Sequence, residues 1–265
     1  MNTTLKFFVK NILLSCEQVT NPRFYHLRKQ TNGMLLPLVY KKIYQLSSQL
    51  PDLDIIEVGG AAGTGSISIA WAMRDTKKKS NLIVVEKCQG GTRTDVGGYA
   101  ENLELIQKHF ENFGVREQVR LFPQELTFEN GQEAIALINT PNIAALIHDA
   151  DGRIDRDFYL FWPLLQPGGL IIVDDYANEA KFQPISDRHP QGGAKSMITY
   201  RLLNQIIEWG LFKTTYKIGK TIFGIKPSNA DFSRFNLETC QRIIKEVQKE
   251  RSNYLEHREL SLSRM

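Results

Sequence analysis

A glycine-rich segment between an apolar run and an amphipathic run constrains the fold of this chain more than any other feature. Residues 54–74 read D-I-I-E-V-G-G-A-A-G-T-G-S-I-S-I-A-W-A-M-R. This pattern predicts a strand, a glycine loop and a helix in succession. Gly59, Gly63 and Gly65 allow a tight turn and a closer approach to a ligand than a side chain would permit. The helix that follows offers that ligand free N–H groups and a positive dipole end.

The spacing of these glycines differs from that of two common phosphate-binding loops. The order G-G-x-x-G-x-G is not the G-x-G-x-x-G of dinucleotide-binding loops, and no lysine follows the last glycine as it does in a P-loop. Glu57, just ahead of the loop, would repel a pyrophosphate but suits an ammonium or a sulfonium group. Glu57, Gly59 and Gly63 form E-x-G-x-x-x-G, which resembles motif I of class I S-adenosylmethionine (SAM)-dependent methyltransferases. A plain glycine turn of an α/β protein is the open alternative.

Short apolar runs alternate with helical patterns after this segment. Strands are predicted at 55–58, 82–85, 119–122, 144–147 and 170–173, and helices at 66–74, 99–113, 129–137 and 155–165. Such alternation is typical of right-handed crossovers and a parallel sheet. Residues 212–226, with Gly219-Lys220 between two β-rich runs, predict a hairpin. We therefore expect an α/β fold: a doubly wound, mostly parallel seven-stranded sheet that ends in an antiparallel hairpin, similar to the Rossmann-like class I methyltransferase fold.

The flanking segments predict helices on either side of this sheet. Residues 34–50 have helical spacing, with Pro37 in the first turn, and residues 237–251 begin an amphipathic C-terminal helix. We expect an N-terminal helical cap over residues 1–50, a SAM-binding α/β domain over 51–228 and a C-terminal helical extension over 229–265. The apolar face of the last helix packs either on its own domain or on a second copy, which would give a homodimer through the terminal helices.

Composition argues against several other classes of protein. The net charge of +4 is too weak for a nucleic-acid footprint, and no run of 18 apolar residues predicts a membrane span. Three scattered cysteines suggest a reducing compartment and no zinc site. The mildly apolar start of the chain lacks a cleavage signal. We therefore expect a cytoplasmic protein with no nucleic-acid or membrane partner.

Acidic side chains follow three of the predicted strands. Glu86 ends the second, where a ribose binds in open α/β sheets, and pairs of acids, Asp149 with Asp151 and Asp174 with Asp175, end the fourth and fifth. The carboxyl ends of parallel strands meet at one edge, so the two pairs would repel each other unless a cation joins them. All-oxygen ligation suits Mg²⁺ or a similar ion. Solvated loop carboxylates and helix caps are the alternatives.

The longer pattern around these acids carries a second resemblance. D-A-D, a helix and then L-L-x-P-G-G-L-I-I-V-D-D resemble the metal-dependent O-methyltransferases of the catechol and caffeoyl-coenzyme A type. Carried over by position, the resemblance implies that Asp149, Asp174 and Asp175 ligate the metal. D-D stands where that family has D-N, and Gly152 stands where its coenzyme-A-ester enzymes have a lysine. Gly33, ahead of an apolar helix, resembles the segment before motif I in that family.

These patterns and the resemblance give three sets of candidate site residues. The candidate cofactor-binding residues are Glu57, Gly59, Gly60, Gly63, Ser66, Glu86, Leu126 and Asp149. The candidate metal ligands are Asp149, Asp174 and Asp175, and the candidate catalytic residues are Asp149 and His148. A histidine at a strand end is also often a hydrogen-bonded core residue. Residues 182–196 have the length and composition of a lid, in which His189 is a weaker candidate base.

The resemblance implies an enzyme that transfers a methyl group from SAM to a hydroxyl of a small molecule, such as a secondary metabolite, with the help of a divalent metal. A metal-free methyltransferase and an oxidative tailoring protein of the same fold are alternatives. A nicotinamide-dependent oxidoreductase and a non-catalytic binding module are two more, although the missing G-x-G-x-x-G and the terminal hairpin count against the former. The sequence contains no readable code for the acceptor.

Overall fold

Seven strands form one sheet in the computed structural model, which describes residues 16–89, 97–178 and 194–262. They are β1 Asp54–Val58, β2 Leu82–Val85, β3 Val119–Phe122, β4 Ile143–His148, β5 Leu165–Val173, β6 Lys213–Ile218 and β7 Thr221–Ile225. Their order is β3-β2-β1-β4-β5-β7-β6. The first five strands are parallel, and β7 runs antiparallel to both β5 and β6. The predicted sheet and its terminal hairpin are confirmed.

Helices cover both faces of the sheet. They are α1 Pro22–Gln30, α2 Pro37–Gln49, α3 Thr64–Asp75, α4 Tyr99–Asn112, α5 Gly131–Ile135, α6 Ile154–Phe161, α7 Lys195–Glu208 and α8 Leu237–Leu262. Helices α1 to α4 pack on one face, where Leu27, Ile67 and Phe110 are buried. Helices α5 to α8 pack on the other face, where Phe158 and Leu202 are buried. Because both faces are covered, the central strands β1, β2 and β4 are buried at every position rather than at alternate ones.

The predicted helices differ from the observed ones where side chains or proline decide the boundary. Helix α5 starts two residues later than predicted, because Thr127 and Asn130 exchange side-chain to backbone hydrogen bonds in a turn of their own. Helix α6 gives way to a 3₁₀ turn that contains Pro163, a residue without an N–H to continue the helix. Helix α7 was not predicted, since its first residues belong to the segment interpreted as a lid. His189 and residues 182–193 of that segment lie outside the described residues.

The apolar face of α8 packs on its own domain. Cys240, Ile244 and Val247 are buried in the same core as α6 and α7. Arg201 of α7 donates two hydrogen bonds to Glu250 of α8, at 2.8 and 2.7 Å. A homodimer through the terminal helices therefore stays a prediction. Among the helices in the described part of the chain, none combines the length and apolarity needed to cross a bilayer.

Asp54 connects the start of β1 to two neighbouring loops. Its buried carboxylate accepts hydrogen bonds from the backbone N–H of Asn81 at 2.7 Å and from that of Asn139 at 2.6 Å. These loops precede β2 and β4, the two strands that flank β1. One carboxylate therefore helps to fix the amino ends of three adjacent strands.

Asp54→Ala should lower the free energy of unfolding by about 3 kcal/mol, because hydrogen bonds to a charged group contribute about 1.5–3 kcal/mol each and two N–H groups lose their acceptor. Urea unfolding measures the change. Asp52→Ala is the matched control, since exposed Asp52 also accepts from two backbone N–H groups, those of Lys79 and Ser80. Equal losses in the two variants would contradict a special role of buried Asp54.

Candidate functional site

A cavity opens at the carboxyl ends of β1, β4 and β5, on the sheet face that α2 and α3 cover. Its walls come from residues 33–43, from the glycine loop over 57–65, from 147–149 and from Ile172, Asp174 and Thr221. Gly33 and Tyr40, from the segment before β1, close one side of it. Open α/β sheets bind ligands at this position, outside the carboxyl ends of their strands.

The glycines of the loop make room for other parts of the chain. A Cβ atom on Gly59, whose φ is +97°, would lie 2.2 Å from the backbone oxygen of Asp149. One on Gly63, with φ +88°, would lie 2.8 Å from the Phe110 ring, and one on Gly65 would lie 2.3 Å from the Glu57 carboxylate. These glycines thus let the loop pack against the residue that follows β4, against α4 and against Glu57. The expectation that they also let the backbone approach a ligand stays a prediction.

Glu57 places a buried carboxylate in the wall of the cavity. Its side chain is 3% exposed, and the Ser66 hydroxyl donates a short hydrogen bond to it. Burial raises the pKa of Glu57 to about 7, the Ser66 hydrogen bond opposes that rise, and the charge of Glu86 adds to it. Among the residues that the structure describes, no cation contributes to this balance. Glu57 is therefore arranged to receive a cationic group from a ligand.

Glu86 holds the backbone of two residues in the left-handed region. Its carboxylate accepts from the N–H of Ala61 at 2.6 Å and from that of Cys88 at 3.0 Å. Ala61 has φ 45° and Cys88 has φ 57°, a conformation that costs on the order of 1 kcal/mol or more for a residue with a side chain. Burial and the charge of Glu86 raise the pKa of the Cys88 thiol to about 12, which leaves it unreactive.

Three acids, which we call the acid cluster, meet at the ends of β4 and β5. Each of Asp149, Asp174 and Asp175 offers one carboxylate oxygen, and these atoms lie within 4.8 Å of one another. The Thr221 hydroxyl donates to Asp174 at 2.5 Å. Asp175 has φ 57°. The structure thus brings together all three residues that the resemblance implied as metal ligands.

Lys195, the first residue of α7, enters the acid cluster. Its ammonium lies 2.6 Å from Asp175 Oδ2 and 3.9 Å from Asp149 Oδ1. Burial and the charge of Asp174 raise the pKa of Asp149 well above its usual range, whereas Lys195 opposes that rise. Burial by itself would also raise the pKa of Asp175, but the Lys195 ammonium outweighs it and the pKa lies below its usual value. Sequence patterns had not indicated this lysine.

The acid cluster has the donor atoms for a divalent cation but already holds an ammonium. Three carboxylates form the hard, all-oxygen donor set that Mg²⁺ prefers. However, one Asp175 oxygen is already paired with an ammonium at 2.6 Å, and a metal ion on the same carboxylate would repel that ammonium. The donor set suits the ion, but the arrangement with Lys195 in place does not.

His148 and Asp151 belong to a separate buried network. The Asp157 carboxylate lies 2.5 Å from His148 Nδ1 and accepts from Arg156 Nε at 2.8 Å. Arg156 also donates two hydrogen bonds to Asp151, at 2.9 and 3.3 Å. The second acid of D-A-D is therefore engaged away from the acid cluster. His148 is 1% exposed, which favours a hydrogen-bonded core histidine, and its predicted catalytic role stays a prediction.

Half of the predicted cofactor-binding residues line the cavity, and the other half lie around it. Glu57, Gly59, Gly60 and Asp149 line it, whereas among the described residues Gly63, Ser66, Glu86 and Leu126 do not. Ser66 acts through Glu57, and Leu126 is buried in the core beside α6, with its carbonyl accepting from Arg156 at 2.9 Å. Tyr40 also lines the cavity, and burial raises its pKa.

Comparison with known proteins defines the class. Residues 56–176 match the family model described as a methyltransferase domain. The resemblance to class I SAM-dependent methyltransferases is thus confirmed over this part of the chain, and the order of the sheet agrees with it. No curated protein matches the chain by sequence.

Solved structures of low sequence identity share the fold. A putative caffeoyl-CoA O-methyltransferase from Staphylococcus aureus has a TM-score of 0.60 at 17% identity, covering 83% of this chain and 99% of its own. The S-adenosylhomocysteine (SAH)-bound methyltransferase PaMTH1 of Podospora anserina has a TM-score of 0.60 at 15% identity, covering 85% and 96%. An O-methyltransferase from Bacillus cereus in complex with SAH has a TM-score of 0.55 at 14% identity, covering 77% and 90%.

Glu57→Gln should remove a pH dependence of stability. With an ordinary pKa of 4.5 in the unfolded chain and about 7 in the folded one, folded Glu57 keeps a proton that the unfolded chain releases between those values. The wild type should thus lose on the order of 3 kcal/mol more than the variant as the pH rises from 4.5 to above 7. Urea unfolding from pH 4.5 to 8 measures this. Ser66→Ala should extend the loss to higher pH, and parallel pH profiles of wild type and Glu57→Gln would contradict the assignment.

Glu86→Ala should destabilise the ligand-free protein by about 2 kcal/mol, because two left-handed residues lose a charged acceptor. Thermal unfolding measures the change. The loss should be smaller when Ala61→Gly is already present, since glycine adopts positive φ without strain. Strictly additive effects in this double-mutant cycle would show that Glu86 does not support Ala61.

Proposed function

We propose that this protein transfers a methyl group from SAM to an oxygen of a small-molecule acceptor. The observation that carries the proposal is the buried Glu57 carboxylate in the cavity wall, which no cation among the described residues balances. SAM supplies the electrophilic methyl on a sulfonium, together with an ammonium that a buried carboxylate can bind. Glu57 would hold that ammonium and so recover the free energy that its burial costs.

Residues around the cavity would position the rest of the cofactor. Glu86 lies at the end of β2, where it would accept hydrogen bonds from the ribose hydroxyls while it supports the loop through Ala61. The N-terminus of α3, which Gly63 leaves without a side-chain cap, would face the cofactor with open N–H groups. The fold holds these groups in place before the cofactor binds, so binding would cost little conformational entropy of the protein.

The acid cluster beside the same cavity supports an oxygen as the atom that receives the methyl group. Asp149 and Asp174 line the cavity, and burial raises the pKa of Asp149 well above its usual range, which makes its carboxylate a stronger base than that of an ordinary aspartate. In this proposal Asp149 takes the proton of the acceptor hydroxyl, and the cavity walls align the oxygen with the methyl group. Two proteins that share the fold, from Staphylococcus aureus and Bacillus cereus, are named as a putative caffeoyl-CoA O-methyltransferase and an O-methyltransferase, which agrees with this choice of acceptor atom.

The divalent metal stays a prediction. Asp149, Asp174 and Asp175 would be its ligands, and it would lower the pKa of the acceptor hydroxyl. Methyl transfer as proposed here does not depend on it, because Lys195 already balances part of the negative charge of the acid cluster. No observation favours oxidative chemistry at this site, and Glu57 would repel the pyrophosphate of a nicotinamide cofactor.

SAH should raise the melting temperature of the wild type, whereas NADH should not. At one hundred times its dissociation constant, SAH should stabilise the fold by about 2.7 kcal/mol. Glu57→Gln should bind SAH roughly 10 to 100 times more weakly, the effect of losing a hydrogen bond to a charged group. Thermal unfolding and calorimetry measure these effects. Stabilisation by NADH alone, or unchanged SAH affinity in Glu57→Gln, would contradict the proposed site.

A further inference from the structure

Lys195 is fixed in the acid cluster by the parts of the fold around it. Its side chain is 27% exposed, and its two neighbours in the chain, Ala194 and Ser196, are buried. The Ser196 hydroxyl lies 3.4 Å from Asp175 Oδ1. The 2.6 Å separation between the ammonium and Asp175 Oδ2 is that of a short, charge-assisted hydrogen bond. The ammonium thus occupies a defined position between two of the three acids.

Gly152 gives the stem of this lysine its room. Gly152 has φ +83°, and a Cβ atom there would lie 3.4 Å from Lys195 Cγ and 3.2 Å from the Lys195 carbonyl oxygen. A larger side chain at position 152 would therefore press on the lysine stem. The turn after β4 therefore leaves space for the start of α7, and the Lys195 ammonium reaches the acids that follow β4 and β5.

The ammonium of Lys195 and a divalent ion would compete for the same carboxylates. A metal ion bonded to Asp175 would lie close to the ammonium that already shares this carboxylate, and two positive charges a few ångströms apart repel strongly in a partly buried site. Lys195 would have to leave before an ion could bind. The side chain of Thr221 also occupies an oxygen of Asp174, the third acid.

We propose that Lys195 is the resident cation of the acid cluster and takes the place of a divalent metal there. The inference rests on the proposed function for its relevance to methyl transfer, but its test does not require an acceptor. In this assignment Lys195 holds Asp175 and Asp149 together against their mutual repulsion. The protein therefore keeps its site assembled without Mg²⁺ or Mn²⁺.

The test compares the wild type with Lys195→Met and with Lys220→Met. Mn²⁺ binding is followed by electron paramagnetic resonance, and melting temperatures are measured with MgCl₂ and with EDTA. The wild type should be indifferent to both additives, and Lys195→Met should bind Mn²⁺ at least tenfold more tightly than the wild type. Lys220→Met is the charge-matched control, since Lys220 also helps to lower the pKa of Asp175 from outside the acid cluster, and it should bind Mn²⁺ as weakly as the wild type.

Equal Mn²⁺ affinity of the wild type and Lys195→Met, whether weak or tight, would overturn the proposal, as would a wild type that EDTA destabilises. If Lys195→Met does not fold, Lys195→Gln serves as a neutral variant of similar length, and Lys195→Arg should stay indifferent to metal. SAH is added to the same samples. Its stabilising effect should persist in every variant, so a failure of the proposed cofactor site would appear as a lost SAH response, separate from the metal result.

Discussion

The site depends on backbone hydrogen bonds that continue the parallel ladder one residue beyond the strands. Gly59, Glu86, Asp149 and Asp174 each follow the last residue of a strand, and the N–H of each donates to the last carbonyl of the neighbouring strand at 2.9 to 3.1 Å. Parallel pairing therefore places the residues after β1, β2, β4 and β5 side by side at one edge. Because these residues are glycine or acids, the same register that builds the sheet concentrates negative charge beside a glycine loop.

The negative charges at this edge are balanced by different partners: backbone N–H groups, a guanidinium, an ammonium or a hydroxyl. Two backbone N–H groups meet the carboxylate of Glu86, and the guanidinium of Arg156 meets that of Asp151. Lys195 meets Asp175 and approaches Asp149. Glu57 is buried and accepts a hydrogen bond from the neutral Ser66 hydroxyl. Burial outweighs that hydrogen bond, so the pKa of Glu57 is raised to about 7. The carboxylates at this edge of the sheet thus differ in how fully their negative charge is balanced. Carboxylates with strongly perturbed pKa values are candidates for functional groups.

Three residues at the same edge of the sheet have strained backbone conformations. Ala61, Cys88 and Asp175 have positive φ angles, and each lies next to or within one of these charged contacts. Residues in this region cost on the order of 1–3 kcal/mol and persist where surrounding contacts determine them. The hydrogen bonds to Glu86 and the ion pair with Lys195 are those contacts. The loop and the acid cluster are thus held in shape before any ligand binds.

The sequence by itself determined the sheet, the hairpin and the residues that end each strand, because apolar runs, glycine positions and strand-terminal acids are local signals that the register of a parallel sheet turns into neighbours. It correctly placed Asp149, Asp174 and Asp175 together and Glu57 beside the loop. Only the tertiary structure decided what each group contacts. Lys195 is 20 residues from Asp175 in the sequence and follows a segment without a periodic pattern. Gly63 lies against the Phe110 ring of α4, a contact that the spacing of residues in the sequence does not predict. Such contacts depend on how helices pack against the sheet, and packing geometry is a property of the whole fold.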